Sequence, residues 1–301
     1  MALGIESILI GTDLTTGSDS VVRSAAAIAA LTDAELHVLH AFDLQPYPEA
    51  ATVPGTFQDR IDTTRRAVRE QIRRAVPSSV RVASVEVVIY VPYRALLERA
   101  IETSSDLLVL GRTRKRPLTD RLLGSTTDQV VRNATVPCLI LPDGIDLPLR
   151  RVIAPLDPAQ PIRPALDLAL QWASSLGVGE NAPQPTEVHV LSVLTPNTTD
   201  AVRRRIASTL ERELAQAFEA LPGQPERPRK LEAKHVLIDA PTPAEGILDY
   251  ANREAASMIV LGTRGRGAIQ RVILGSVAAE VARGATCPVM LVPPGMWHSA
   301  R

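Results

Sequence analysis

The sequence predicts an α/β fold made of two tandem doubly wound domains, each a five-stranded parallel sheet flanked by helices. Short apolar runs rich in β-branched residues alternate with longer amphipathic or Ala-rich segments along the whole chain. The chain also repeats: Asp106–Gly144 shifted by 151 positions onto Ser257–Gly295 gives 13 identities in 39 positions without a gap. A repeat this long is a domain, and 301 residues allow two. We therefore expect domains at 1–144 and 145–301.

The first domain has five strand-like runs, each short and bounded by polar or turn-forming residues. Strands are expected at Ser7–Gly11, Glu35–Ala41, Val82–Val91, Asp106–Leu110 and Val136–Leu141. Helices are expected at Val21–Leu31, Asp59–Val76, Tyr93–Thr103 and Ser125–Asn133, where apolar residues recur at helical spacing. Three prolines and a glycine predict a loop at 43–57.

A short linker at 143–148 precedes a second round of the same pattern. Strands are expected at Arg151–Asp157, Glu187–Leu191, Ala233–Asp239, Met258–Leu261 and Pro288–Val292. Helices are expected at Leu166–Leu176 and Ala201–Ala220, with another opening at Gly275-Ser276. The remaining segments predict loops at 177–186 and Pro222–Pro228 and a loose tail at 296–301. Strands that alternate with helices imply right-handed crossovers and a parallel sheet.

Composition restricts the class of protein. Lys plus Arg equals Asp plus Glu, 33 each, so the basic excess of a dedicated nucleic-acid binder is missing. No uncharged apolar run reaches the ~18 residues of a membrane span, and the first residues lack a signal-peptide pattern. We therefore expect a cytoplasmic protein that binds neither nucleic acid nor membrane. The two cysteines, Cys138 and Cys287, are expected to be core thiols rather than a disulfide or a metal site.

The repeated stretch has the chemistry of a phosphate site. A predicted strand is followed by Gly262-Thr263-Arg264-Gly265, and the next helix is predicted to begin at Gly275-Ser276. Glycines let the backbone approach a ligand closely, and successive N–H groups in such a turn attract anions. The helix start adds unpaired N–H groups and the positive end of its dipole. Asp157 ends a neighbouring strand, where a carboxylate suits ribose hydroxyls.

Other nucleotide and catalytic motifs do not fit. The sequence contains no Gly-x-x-x-x-Gly-Lys-Ser/Thr, and the glycines follow a fourth strand rather than a first, unlike a dinucleotide fingerprint. It contains no Gly-x-Ser-x-Gly and no His-Glu-x-x-His either. The repeat-equivalent His37 and His189 lie within predicted strands with no nucleophile or ligand cluster beside them in sequence, so we expect structural roles for both.

On these residues the chain resembles a tandem universal stress protein. The family's nucleotide motif is Gly, two residues, Gly, nine residues, then Gly-Ser/Thr. The second half matches it with Gly262, Gly265 and Gly275-Ser276. The first half keeps Gly111 and Gly124-Ser125 but has Arg114 in place of the second glycine. The first-strand aspartate is present in both halves, as Asp13 and Asp157.

The resemblance implies an adenine nucleotide α-hydrolase-like fold that binds ATP. Asp157 would hold the ribose, with Pro155 along the adenosine and Val193 near the adenine. The phosphates would lie between two groups of residues: Leu261, Gly262, Arg264 and Gly265 on one side, and Gly275, Ser276 and Val277 on the other. The counterparts in the first half are Thr12, Asp13, Gly111, Gly124, Ser125 and Thr126.

Arg114 distinguishes the first site from the second. Its Cβ would hinder the close backbone approach that glycine allows. Arg112, Lys115 and Arg116 add positive charge that could attract phosphate at the same place. The sequence leaves open whether this site binds nucleotide.

The resemblance also implies a role. We expect an ATP-binding regulator of stress adaptation with little or no hydrolysis, because no residue is placed to activate water. Mg²⁺ could accompany the phosphates, and a protein partner of unknown identity would sense the nucleotide. The fifth strands of the two halves would pair as an intramolecular pseudo-dimer, and two chains could form a homodimer. Two alternatives stay open: an interaction scaffold without nucleotide, and an adenylyl-transfer type enzyme.

Overall fold

The computed structural model describes residues 3–42, 57–112, 123–159, 163–179, 181–221, 231–263 and 274–294. The chain divides into two compact units, one spanning Gly4–Gly144 and the other beginning at Ile145. Each unit is an α/β domain with a parallel sheet between helices, so the predicted fold class is confirmed.

The first unit contains five strands and four helices in the described residues. In chain order they are β1 (Ser7–Gly11), α1 (Thr16–Thr32), β2 (Glu35–Phe42), α2 (Phe57–Ala75), β3 (Val82–Ile89), α3 (Pro92–Glu102), β4 (Leu107–Gly111), α4 (Ser125–Asn133) and β5 (Cys138–Leu141). The strand order is β3-β2-β1-β4-β5, and every pairing is parallel. The order reverses at β1, which places the topological switch point between β1 and β4.

The second unit repeats this arrangement in its described residues. Its elements are β6 (Arg151–Pro155), α5 (Arg163–Leu176), β7 (Thr186–Leu194), α6 (Asp200–Glu219), β8 (Leu231–Asp239), α7 (Pro243–Arg253), β9 (Met258–Gly262), α8 (Ser276–Gly284) and β10 (Val289–Val292). The strand order is β8-β7-β6-β9-β10, again all parallel. The switch point therefore lies between β6 and β9.

The first strand of each domain carries a continuous apolar run because helices cover both faces of a parallel sheet. Ile8, Leu9 and Ile10 of β1 are fully buried, as are Val152 and Ile153 of β6. In the first domain α1 packs against α2 and α3 against α4, and in the second α5 packs against α6 and α7 against α8. The polar residues that follow β1 and β6 are therefore left at the carboxyl edge of each sheet.

The sequence analysis missed helix α7, although its start carries a clear signal. Pro243 occupies the first turn, and the Thr242 hydroxyl accepts a hydrogen bond from the Glu245 backbone N–H at 3.3 Å. Threonine before proline, with glutamate three residues after the threonine, is the sequence pattern of a capped helix start. Helices α1 and α5 also begin five and three residues earlier than predicted. Residues 43–56, Pro222–Pro228 and 296–301 lie outside the described residues.

The two cysteines differ in burial. Cys138 is buried in β5 as expected, and burial raises the pKa of its thiol to about 12. Cys287 is only half-buried, so the prediction of a core position is wrong for this residue. Cys287 lies in the connection between α8 and β10, directly before Pro288, and not within a strand. In the described part of the chain, no helix is long and apolar enough to cross a membrane.

Candidate functional site

Strands β6 and β9 bring the aspartate and the glycine of the second domain to the same edge. Val152 pairs with Met258 and Ile153 with Ile259. Continued along both strands, this register puts Leu156 level with Gly262, and Asp157 follows one residue later. This edge is the carboxyl end of the switch point, where ligands bind in open parallel sheets.

Asp157 is exposed and held in a defined orientation. Its Oδ1 atom accepts a hydrogen bond from the backbone N–H of Ala159 at 2.9 Å, which forms an Asx turn. The residue before it is fixed as well, because the Ser192 hydroxyl donates to the Leu156 carbonyl at 2.6 Å. The carboxylate is thus presented at the edge by a backbone anchored to β7.

Gly262 faces open space. A Cβ built on this residue would meet no atom of the described residues within 4 Å, and its backbone has no left-handed φ that would require glycine. Neither packing against the described residues nor local conformation therefore explains a glycine here. A ligand that approaches the backbone would explain it, because the space that a side chain would occupy is left free.

The start of α8 lies beside the end of β9. Thr263 donates its N–H to the Val292 carbonyl at 2.9 Å, and Gly275 donates its N–H to the Thr263 carbonyl at 2.8 Å. The end of β9 and the start of α8 therefore lie side by side, as a two-part cradle requires. Arg264 and Gly265, which the sequence analysis assigned to the phosphates, lie outside the described residues.

Helix α8 begins without a side-chain cap. Gly275 occupies the N-cap position with φ −59° and ψ 146° and makes no side-chain hydrogen bond. Ser276 is exposed and Val277 half-buried in the first turn. Uncapped N–H groups and the positive end of the helix dipole suit an anion at this place.

Three further residues assigned to the second site occupy different environments. Pro155 is half-buried at the end of β6, whereas Leu261 is only 4% exposed, so its side chain belongs to the core. The Val193 side chain packs toward α7: a Cβ on Gly246 would lie 2.9 Å from Val193 Cγ1. Leu261 can thus offer a ligand only its backbone, and Val193 uses part of its side chain for packing.

The first domain has the same strand register but a different environment. Ile8 pairs with Leu107 and Ile10 with Val109, which puts Thr12 level with Gly111. A Cβ on Gly111 would lie 3.2 Å from Val21 Cγ2 of α1, so this direction is filled by the protein itself. Packing therefore explains the first-domain glycine.

The Thr12 hydroxyl takes part in an internal network. It donates to Gln71 Oε1 at 2.7 Å, and Gln71, which is 2% exposed, donates in turn to Ser18 Oγ at 2.9 Å and Asp19 Oδ1 at 2.7 Å. Helix α2 is thereby tied to the end of β1 and to the first turn of α1. This use of the side chain counts against Thr12 as a ligand contact through its hydroxyl.

Asp13 is oriented by its neighbours, like Asp157. Its Oδ1 atom accepts from the Thr15 N–H at 3.0 Å and from the Thr15 hydroxyl at 2.6 Å. Leu14 between them has a left-handed φ of 59°, which is costly for this residue type. Helix α4 begins at Ser125 after an uncapped Gly124 with φ −55°, and Thr126 is half-buried. Arg114 lies outside the described residues.

One feature of the second domain was not found from the sequence. A cleft of about 260 Å³ lies between the loop after β6 and helix α6. Asp157 and Arg205 are its charged residues, and Pro158, Val202 and Ile206 supply apolar surface. The proximity of Arg205 to Asp157 depends on tertiary packing, so the sequence pattern did not indicate it.

The two repeat-equivalent histidines lie near the amino ends of their strands, away from this edge. His189 is fully buried, with Nε2 at 2.7 Å from Glu187 Oε2 and Nδ1 at 2.9 Å from the Tyr250 hydroxyl. Both ring nitrogens have partners, as expected of a structural histidine. Burial lowers the pKa of His189.

His37 has a neighbour that the sequence analysis did not anticipate. Its Nδ1 atom lies 2.8 Å from the hydroxyl of Ser84, to which Arg99 also donates at 3.0 Å. The expectation that no nucleophile type lies beside a histidine is therefore wrong for this pair. Cross-strand pairing of β2 with β3 places the two residues opposite each other, and sequence spacing did not indicate this register. Among the described residues, no group of three or more potential ligands could hold a metal ion.

Comparison with known proteins gives the same assignment as the fold and the site. The model of the universal stress protein family matches residues 4–142 and 149–293. A universal stress protein of Mycolicibacterium smegmatis is 26% identical over 295 residues, covering 95% of this chain and 97% of its own. One of Mycobacterium tuberculosis is 27% identical over 305 residues, covering 94% and 96%.

A solved structure shares the fold over the whole chain. The universal stress protein of Archaeoglobus fulgidus has a TM-score of 0.68 at 20% sequence identity and covers 96% of this chain and 98% of its own. The same family assignment follows from the repeated glycine motif, the five-stranded sheets and the two family matches. The chain belongs to the universal stress protein family, with two such domains in tandem.

Proposed function

We propose that this protein binds ATP at the carboxyl edge of its second domain and acts as a regulator of stress adaptation. The single observation that carries the proposal is the space that the described residues leave open at Gly262, one residue before Thr263, which is hydrogen-bonded to the uncapped start of α8. A glycine that neither packing nor φ requires, next to free N–H groups, suits a phosphate chain. The aspartate at the same edge suits the ribose.

The proposed contacts follow this geometry. Backbone groups of Leu261, Gly262, Gly275, Ser276 and Val277 would bind the phosphates, together with Arg264 and Gly265. Asp157 would accept hydrogen bonds from ribose hydroxyls, with Pro155 and Val193 along the nucleoside. Mg²⁺ could accompany the phosphates through their own oxygens and water.

We propose further that ATP is bound with little or no hydrolysis. At the edge formed by β6 and β9, the described residues supply one carboxylate, Asp157, already engaged in an Asx turn. A general base would need to be within hydrogen-bond reach of an attacking water. Sustained ATP turnover that disappears in Asp157→Ala would contradict this view, and release of pyrophosphate would favour an adenylyl-transfer enzyme.

The test uses the open glycine. In Gly262→Val the new side chain enters space that the described residues leave open, so the fold should be retained while the ligand is obstructed. We expect at least a tenfold loss of ATP affinity by calorimetry, a change of about 1.4 kcal/mol. Gly179→Val is the matched control, because a Cβ on Gly179 also meets no described residue within 4 Å.

The native occupant can be measured at the same time. The purified protein is denatured, and released nucleotide is quantified by anion-exchange chromatography. We expect about one ATP per chain if one site is filled. No released nucleotide and no heat at millimolar ATP would contradict the proposal and favour the nucleotide-independent scaffold.

A further inference from the structure

The cleft beside Asp157 extends the second-domain site toward helix α6. With a volume of about 260 Å³ it lies just below the range of ~300–1,000 Å³ usual for whole small-molecule ligands. A part of a ligand, such as one ring system, is therefore the occupant to consider. The function proposed above assigns no residue of α6 to the nucleotide.

Arg205 is available to such an occupant. Its side chain is exposed, and among the described residues its guanidinium has no hydrogen-bond or ion-pair partner. Two other arginines of the same helix have partners, since Arg203 binds Asp239 and Arg212 lies 3.4 Å from Glu213, whereas Arg204, like Arg205, has none among the described residues. Arg205 is thus one of the two charged residues of the cleft, with a charge opposite to that of Asp157.

The rest of the cleft lining decides what Arg205 would contact. Asp157 on the same cleft repels a phosphate, and Val202 and Ile206 offer a phosphate no hydrogen bonds. A planar nitrogen heterocycle fits better, because its apolar faces can contact the aliphatic side chains. Guanidinium groups stack on aromatic rings, and the carboxylate can accept from attached hydroxyl or amino groups.

The sheet separates this cleft from the side chain of Val193. Successive strand residues point to opposite faces: Ser192 donates to Leu156 beside the cleft, whereas Val193 packs on α7. Helix α6 packs with α5, and α7 packs with α8. A ring in the cleft would therefore contact α6, and Val193 could reach the nucleoside only through its backbone.

We propose that Arg205 covers the face of the nucleobase of the nucleotide bound at Asp157 and selects ligands with an aromatic nitrogen heterocycle. This inference rests on the proposed function and adds a specificity-determining residue to it. A stacked guanidinium at an exposed site stabilises a complex by about 0.5–1 kcal/mol, which corresponds to a roughly two- to fivefold change in affinity.

The experiment compares three ligands with three variants by calorimetry. ATP carries both base and phosphates, adenosine carries the base alone, and inorganic tripolyphosphate carries the charge alone. Arg205→Ala removes the guanidinium group, and Arg205→Lys keeps the positive charge but replaces the planar guanidinium with an ammonium group. Arg204→Ala is the matched control, because Arg204 is exposed on the same helix and does not line the cleft.

We expect Arg205→Ala and Arg205→Lys to weaken ATP and adenosine two- to fivefold, with tripolyphosphate unchanged and Arg204→Ala like the wild type. Weaker tripolyphosphate binding in Arg205→Ala, or full recovery in Arg205→Lys, would overturn the inference in favour of a charge contact. Unchanged adenosine affinity in Arg205→Ala would overturn it while the ATP site stands. A wild-type protein that binds neither ATP nor adenosine contradicts the proposed function itself, and this inference with it.

Discussion

The two domains share a strand order and a register but use the edge at the switch point differently. In the first domain, α1 fills the direction in which a Gly111 side chain would point, and Gln71 ties Thr12 to two helices. In the second domain, the described residues leave the corresponding direction at Gly262 open. Leu156 stands at the position of Thr12 and has no hydroxyl group. Among the described residues, packing explains the glycine of the first domain but not that of the second, where we propose a ligand.

This difference shows what a glycine motif can and cannot indicate. Equal spacing in both halves follows from their common fold, because each glycine ends a strand at the switch point. Whether the glycine leaves room for a ligand depends on the neighbouring side chains. Val21 and Gln71 come from helices far from Gly111 in sequence, so the motif alone does not contain this information.

The largest difference in stability is expected at the network of the first domain. Gln71→Ala removes a buried amide that accepts from Thr12 and donates to Ser18 and Asp19, so the first domain should lose about 2–3 kcal/mol. The matched position of α6, aligned through the buried residues Val68 and Leu210, is Glu213. Its exposed partner is Arg212, so Glu213→Ala should cost less than about 1 kcal/mol.

Urea denaturation followed by a probe in each domain measures both variants. Equal losses for Gln71→Ala and Glu213→Ala would show that the two α2-type helices are held alike. The comparison between the domains would then fail at the level of stability.

A second, pH-dependent difference is expected at the equivalent histidines. Burial lowers the pKa of both His189 and His37, so on acidification the unfolded chain takes up protons before the folded chain does. Stability from these residues is fully present above the ordinary pKa of 6.5 and falls as the pH drops below it. His189 is fully buried among Glu187, Arg151 and Tyr250, whereas His37 is half-buried.

We therefore expect His189→Gln to reduce the loss of stability between pH 7.5 and 5.5 more than His37→Gln does. Urea midpoints at the two pH values measure this effect. A wild-type protein that becomes more stable on acidification in this window would contradict the assigned direction.

The smallest effect is expected in the turns after the two aspartates. Leu14 has a left-handed φ of 59°, so Leu14→Asn should stabilise the first domain by about 0.5 kcal/mol. Pro158 occupies the matching place in the second domain, where its ring fixes φ and restricts the unfolded chain. Pro158→Gly should cost about 0.5–1 kcal/mol. Thermal unfolding of both variants tests whether the unfolding free energy rises in Leu14→Asn and falls in Pro158→Gly. A destabilised Leu14→Asn would show that the turn is not strained.

The sequence was sufficient for the architecture because hydrophobic patterning determines it. Continuous apolar runs such as Leu9–Ile10 predict strands buried on both faces, and the repeat predicts the second domain. Helix α7 was not predicted because its signal lies in the cap formed by Thr242 and Glu245 rather than in apolar spacing.

The site could be predicted only as far as strand ends determine it. Asp157 and Gly262 were assigned to one edge because parallel strands bring their carboxyl ends together. Three features depend on how helices and strands pack in three dimensions. They are the hydrogen bond between Gln71 and Thr12, the pair of His37 and Ser84, and the cleft lined by Arg205. Single-sequence patterns do not determine these contacts.

The most direct measurement of the central claim is an ATP titration of two matched aspartate variants. Asp157→Ala and Asp13→Ala each remove an exposed carboxylate that closes a turn after the first strand of its domain. We predict that Asp157→Ala weakens the principal ATP site at least tenfold, a change of about 1.4 kcal/mol, whereas Asp13→Ala leaves that site intact. Loss of ATP binding in Asp13→Ala with normal binding in Asp157→Ala would contradict the account.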